Sequence, residues 1–123
     1  EWNKLARQRW DARAGNALTY SLDGKTNCYT DQAISYGASL VDGDFWKVKA
    51  IAQDGSRILG HYESHQVANG TLAGGDDARS LFNGVRVDRH NRMVSARFID
   101  PVNGARTIEI PAENLIHVCR HFR

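Results

Sequence analysis

Val85-Arg86-Val87-Asp88-Arg89-His90-Asn91-Arg92-Met93-Val94-Ser95-Ala96-Arg97-Phe98-Ile99 is the stretch that decides the fold of this chain. Val85 and Val87 alternate with Arg86 and Asp88, and Val94, Ala96 and Phe98 alternate with Ser95 and Arg97. A period of two places one row of side chains on each face of a strand, so both runs read as half-buried strands. Between them, Arg89-His90-Asn91-Arg92 is short enough for a tight connection. Asn91 suits its left-handed position, because Asn tolerates positive φ better than most residues. The unit is therefore an antiparallel hairpin.

The pattern continues in both directions. Downstream, Asp100-Pro101-Val102-Asn103-Gly104 is a second turn, and Thr107 to Ile110 form a third strand. Pro111 fits the first position of a short helical turn through Ala112-Glu113-Asn114. Leu115, Ile116 and Val118 then return to the core. Upstream, Trp46, Val48, Ala50 and Ala52 alternate with Lys47, Lys49 and Gln53, which predicts another strand from Phe45. Asp54-Gly55 closes a hairpin onto a returning strand around Arg57–Val67. Asn69-Gly70 and Gly74-Gly75-Asp76-Asp77 predict a flexible loop before Leu81-Phe82.

The first third of the chain has a helical period instead. Trp2, Leu5, Ala6 and Trp10 predict a short amphipathic helix over residues 1–14, with the basic residues mostly elsewhere. Residues 15–27 are rich in Gly, Asn, Ser, Asp and Thr and read as loop. Thr30 or Asp31 can cap a second helix carrying Tyr29, Ala33, Tyr36, Gly37 and Leu40, ending near Val41 before Asp42-Gly43-Asp44. Helices followed by strands predict an α+β fold: N-terminal helices, then a small antiparallel β-sheet of roughly five strands in meander-like order. The expected organisation is a single domain over 1–123, helical over 1–41 and mainly antiparallel β over 44–123.

Composition limits the function classes. At 123 residues, the chain can bury one core. Hydrophobic residues at 41% and charged residues at 24% are an ordinary globular balance. The formal charge of +2 is too small to argue alone for nucleic acid or an anionic membrane. There is no apolar run long enough to span a bilayer and no signal-peptide pattern. Cys28 and Cys119 read as two thiols in a reducing compartment, with one disulfide as the alternative. The chain starts at Glu1 and stops at Arg123 directly after an apolar stretch, which reads as a segment of a longer protein.

Candidate chemistry has simpler explanations at each position. His117, Cys119 and His121 alternate and would share one face of a strand, and His61 and His65 would also share a face. Zinc accepts such ligands, but the spacing fits no standard zinc pattern. Asp23, Asp31, Asp42, Asp44 and Glu63 could supply an acid–base pair, yet all except Glu63 sit beside a Gly or at a helix start, where turns and caps use them. No Gly-x-Ser-x-Gly elbow surrounds a serine, and Cys119 follows an apolar run that favours a buried, inert thiol. Gly74-Gly75 precedes two acidic residues, which would repel a phosphate. Three Trp, four Tyr and scattered Arg leave a nucleic-acid module open, although Trp46 shares its parity with core residues. No catalytic, cofactor-binding or metal residue is assigned, and an enzyme is not expected.

One resemblance goes further. Gly84-Val85-Arg86-Val87-Asp88-Arg89-His90-Asn91-Arg92-Met93-Val94-Ser95-Ala96, followed by Ile110-Pro111-Ala112-Glu113-Asn114-Leu115-Ile116-His117-Val118, resembles the portal proteins of lambda-type tailed bacteriophages. Leu40-Val41-Asp42-Gly43-Asp44-Phe45 and His61-Tyr62-Glu63-Ser64-His65-Gln66-Val67 are similar to earlier segments of that family. The chain departs from the family pattern at Asn91 (usually Gly), Met93 (commonly Pro), Ser64-His65-Gln66 (usually Pro-Asp-Arg) and Cys119 (often aromatic). The resemblance implies the wing region of a ring subunit. It also implies a homo-oligomer, usually of twelve copies, at a capsid vertex in the virion, assembled in the host cytoplasm. Double-stranded DNA would pass through the ring in packaging and ejection. The implied partners are capsid protein, terminase and the head–tail connector, without a membrane. The competing readings are a nucleic-acid-binding module and a His/Cys metal-binding domain.

Overall fold

The computed structural model describes residues 1–68, 81–100 and 102–119. The architecture is α+β, with helices first and antiparallel sheets after. The predicted loop at 69–77, Pro101 and His121 lie outside the described residues.

Three helices lead the chain: α1 (Trp2–Ala14), α2 (Ala17–Tyr20) and α3 (Cys28–Val41). The short α2 interrupts the stretch expected to be loop. Asn16 starts it by accepting the Leu18 N–H on its side-chain oxygen. Helix α3 begins earlier than predicted because Asn27, not Thr30 or Asp31, is the cap. Asn27 Oδ1 accepts the N–H groups of Tyr29 and Thr30, and Thr30 Oγ1 accepts the Asn27 N–H in return. This reciprocal capping box satisfies donors that the first turn would otherwise leave free. The helix ends at Val41, as expected, and Gly43 takes the positive φ of 87° needed to turn into the sheet.

Strand β1 (Asp44–Ile51) pairs antiparallel with β2 (Arg57–Glu63), with Trp46 opposite Tyr62 and Lys47 opposite His61. Gly55 at φ 81° makes the predicted turn. The returning strand is shorter than expected: Glu63 starts a 3-10 turn over Ser64–Gln66, where its N–H donates to Gln66 Oε1. The remaining strands are β3 (Leu81–Phe82), β4 (Val85–Val87), β5 (Met93–Ile99), β6 (Thr107–Pro111) and β7 (Leu115–Cys119). Asn83 and Gly84 join β3 to β4 with φ of 48° and 82°, the positive pair that matches a two-residue hairpin to strand twist. Asn91 has φ 62°, as its place in the hairpin turn predicts.

The seven strands of the described residues do not form one meander. They make a β2-β1-β7 sheet and a β3-β4-β5-β6 sheet. Pro111 ends β6 and caps a 3-10 turn over Ala112–Asn114 instead of occupying its first position. That turn sends β7 across to pair with β1, with Leu115 opposite Val48. The two sheets enclose one apolar cluster of Trp46, Ala96, Phe98 and Leu115, edged by Val48, Tyr62, Val85 and Ile110. Phe98 packs edge-to-face with Trp46 at 5.7 Å and tilted against Tyr62 at 4.5 Å, spacings at which aromatic pairs attract beyond the area they bury. Ile116 points away from this cluster and is exposed.

Both longer helices turn large apolar residues to the surface. The buried residues of α3 are Cys28, Asp31 and Ser35, whereas Tyr29, Ile34, Tyr36, Leu40 and Val41 face outward. In α1 only Ala14 is buried, and Trp2 and Trp10 are exposed. Arg9 and Arg13 lie seven and eleven residues after Trp2, on the same side of the helix, so the Trp-bearing face is itself basic.

Candidate functional site

The face of β1 opposite the apolar cluster carries Phe45 and Lys47, and β2 adds His61 beside Lys47. Helix α3 lies over this face and lowers Asp31 onto it. Asp31 is 1% exposed. Its Oδ2 accepts from Lys47 Nζ at 2.5 Å and from the Tyr20 hydroxyl at 2.8 Å. His61 Nε2 lies 2.7 Å from Oδ1, off the line of a hydrogen bond, so that contact is an ion-pair approach and not an aligned N–H···O bond. Ser35 Oγ donates to the Asp31 carbonyl at 2.6 Å. Phe45 stacks on His61 with ring centres 5.7 Å apart.

Electrostatics follow from this packing. Burial alone pushes the Asp31 carboxyl up, but the hydrogen bonds from Lys47 and Tyr20 and the charges of Lys47 and His61 outweigh it. The net shift is below the ordinary carboxylate range. Tyr20 moves the opposite way, raised first by burial and then by its bond to the Asp31 carboxylate. The result is an ionised carboxylate with its oxygens occupied. It ties α2, α3, β1 and β2 together. A cavity of about 220 Å³ opens beside His61, lined also by Leu22, Asp23, Gly60 and Tyr62. Asp23 on that wall is held below the ordinary range by the Ser21 hydroxyl and then the Lys25 N–H.

The other candidate residues are dispersed. Asp42 caps the end of α3. Asp44 accepts the Ser64 hydroxyl and contacts His117 Nε2 at 3.2 Å. His117 stacks flat on Trp46, with centres 3.8 Å apart. Glu63 pairs with the exposed His65 at 3.3 Å, whereas His61 approaches Asp31. Cys28 is buried at the start of α3, and Cys119 is half-buried at the end of β7. Among the described residues, no three His, Cys, Asp or Glu side chains are grouped to hold a metal ion. No described helix is long and apolar enough to cross a membrane.

A second charged group lies on the outer face of the β3–β6 sheet. Glu109 accepts from Arg86 Nε at 2.8 Å, Arg97 at 3.0 Å and the Ser95 hydroxyl at 2.6 Å. Arg86 first, then Ser95 and Arg97, hold its carboxyl down at about 2 against a weaker push from burial. This network crosses β4, β5 and β6 in register, with Arg86 opposite Ser95 and Arg97 opposite Glu109. It is the polar counterpart of the Val85–Ala96–Ile110 row beneath.

The sequence reading missed the Asp31 hub because Asp31 resembles a helix cap. A signal was present: Cys28, Asp31 and Ser35 share a helical face, and Lys47 recurs on the strand face that α3 covers. Compared with known proteins, the chain matches no family model and no curated protein.

Proposed function

We propose that this chain is a structural part of a phage portal ring, belonging to the wing of each subunit, at the capsid vertex where DNA enters and leaves and where terminase and the tail attach. The observation that carries the reading is the inverted orientation of α3. Its buried side is polar and holds the helix through Asp31 and Ser35, while Tyr29, Ile34, Tyr36 and Leu40 are left on the surface. Large exposed apolar groups of this kind mark surfaces that other protein covers. Helix α1 repeats the arrangement with Trp2 and Trp10, and Trp and Arg are the side chains enriched in interface centres. The ordered resemblance of 84–96 and 110–118 to the portal family supports this choice of assembly. A saturated, buried carboxylate hub suits a component that supports load and assembly.

The test is solution mass by light scattering on the complete chain containing these residues, with and without residues 1–14. The proposal expects a large homo-oligomer that the truncation weakens or dissolves. Unchanged mass and unchanged thermal stability after truncation would remove α1 from the subunit contacts.

A further inference from the structure

Two adjoining cavities cross the uncovered end of the β2-β1-β7 sheet, where α3 no longer lies over it. One, of about 470 Å³, is lined by Lys49, Ile51, Arg57, Leu59 and Ile116 among others. The second, of about 300 Å³, shares Arg57 and Leu59 and extends to Trp10 and Arg13 of α1. Together they form one open groove. Its floor is apolar: Ile51 is 76% exposed, Ile116 is 40% exposed and Trp10 is 59% exposed. Its rim is cationic. Lys49 donates to the Glu113 carbonyl at 2.8 Å, and Arg13 donates to the Arg57 carbonyl at 2.7 Å. These are neutral acceptors. No carboxylate of a described residue lies within ion-pairing distance of Lys49, Arg57 or Arg13. Asp54 at the neighbouring hairpin tip feels Arg13, but its carboxylate is engaged with Ser56.

We infer that this groove is a docking site for an acidic, amphipathic peptide segment of a partner protein. Charge complementarity selects the occupant. Aliphatic side chains of the segment would cover Ile51, Leu59 and Ile116, and its carboxylates would meet three cations that have no carboxylate within ion-pairing distance among the described residues. Burying the floor supplies affinity, and the rim charges set partner choice and encounter rate. A basic or uncharged segment would cover the same floor while leaving Lys49 and Arg57 uncompensated, which disfavours it. The inference rests on the groove's geometry and charge, of which Lys49, Ile51 and Arg57 lie outside the α1 surface assigned above to subunit contacts.

Selection of a random-sequence peptide display library on the intact protein tests it without presupposing a ligand. The expected result is enrichment of peptides that combine Asp or Glu with large apolar residues. A synthetic peptide of the enriched sequence should bind the Arg57→Glu variant about tenfold or more weakly. It should bind the milder Lys49→Gln variant less tightly as well, and lose affinity as salt is raised. Circular dichroism matching the parent protein establishes that both variants fold. In NMR titration the peptide should shift the amides of Lys49, Arg57 and Ile116. Enriched peptides without acidic bias, or binding that ignores both substitutions, would overturn the inference. So would concentration-dependent self-association abolished by Arg57→Glu, because a second copy would then be the occupant.

Discussion

Replacing Asp31 by Asn tests whether the buried hub holds the helices to the sheet. The substitution keeps the shape and removes the charge. Lys47 would then be left with a side chain only 12% exposed and no counter-ion, and His61 would lose the carboxylate 2.7 Å away. Removing one partner of a buried ion pair costs about 3–5 kcal/mol, because the survivor remains desolvated. That is a large part of the roughly 5–15 kcal/mol that stabilises a domain. At about 4 °C per kcal/mol for a chain of this length, the melting temperature should fall by about 12–20 °C. Urea and thermal denaturation followed by Trp fluorescence would measure it. Adding Lys47→Met to Asp31→Asn should recover about 2 kcal/mol, since the orphaned charge is then gone. The pH dependence has a definite sign. The folded-state pKa of Asp31 is depressed, so its contribution is fully present above the unfolded value, near 3.9, and is lost as pH falls through the folded value. The gap between parent and Asp31→Asn should be constant near neutral pH and should close only below about pH 4. A loss under about 1 kcal/mol, or strict additivity with Lys47→Met, would refute the hub.

Three further outcomes follow from the packing. Gly84→Ala should cost about 3 kcal/mol in chemical denaturation, because its Cβ would stand 2.7 Å from the Ala68 nitrogen and the residue would keep a φ of 82°; a neutral result would contradict that geometry. Phe98→Ala should cost about 3–5 kcal/mol, as Phe98 is fully buried between Trp46 and Tyr62, and a cost near 1 kcal/mol would mean that the sheets do not share this core. Glu109→Gln should lower stability by about 1 kcal/mol or less, since the group is partly solvated. That difference should be present above pH 4.5 and should vanish as the pH approaches 2, because the folded carboxyl titrates at about 2.

The sheet region was legible because its signals are local. Period-two alternation at 85–87 and 93–99 and the turn residues Gly55 and Asn91 fix hairpins without reference to distant parts of the chain. The crossover of β7 was not legible. Pairing β7 with β1 joins residues far apart in sequence, and alternation says nothing about which strand a neighbour chooses. The buried face of α3 was not legible for a related reason. Apolar spacing marks Tyr29, Tyr36 and Leu40 as core only if hydrophobic burial inside this chain orients the helix, and here a buried carboxylate does so instead. The candidate site suffered the same way: Asp31, Lys47, His61 and Tyr20 come from four elements, so only the fold brings them together.

The most direct test of the portal proposal is negative-stain electron microscopy of the complete chain that contains these residues. The expected result is closed rings with a central hole wide enough for a DNA duplex. A homogeneous, compact monomer under conditions that favour assembly would contradict it.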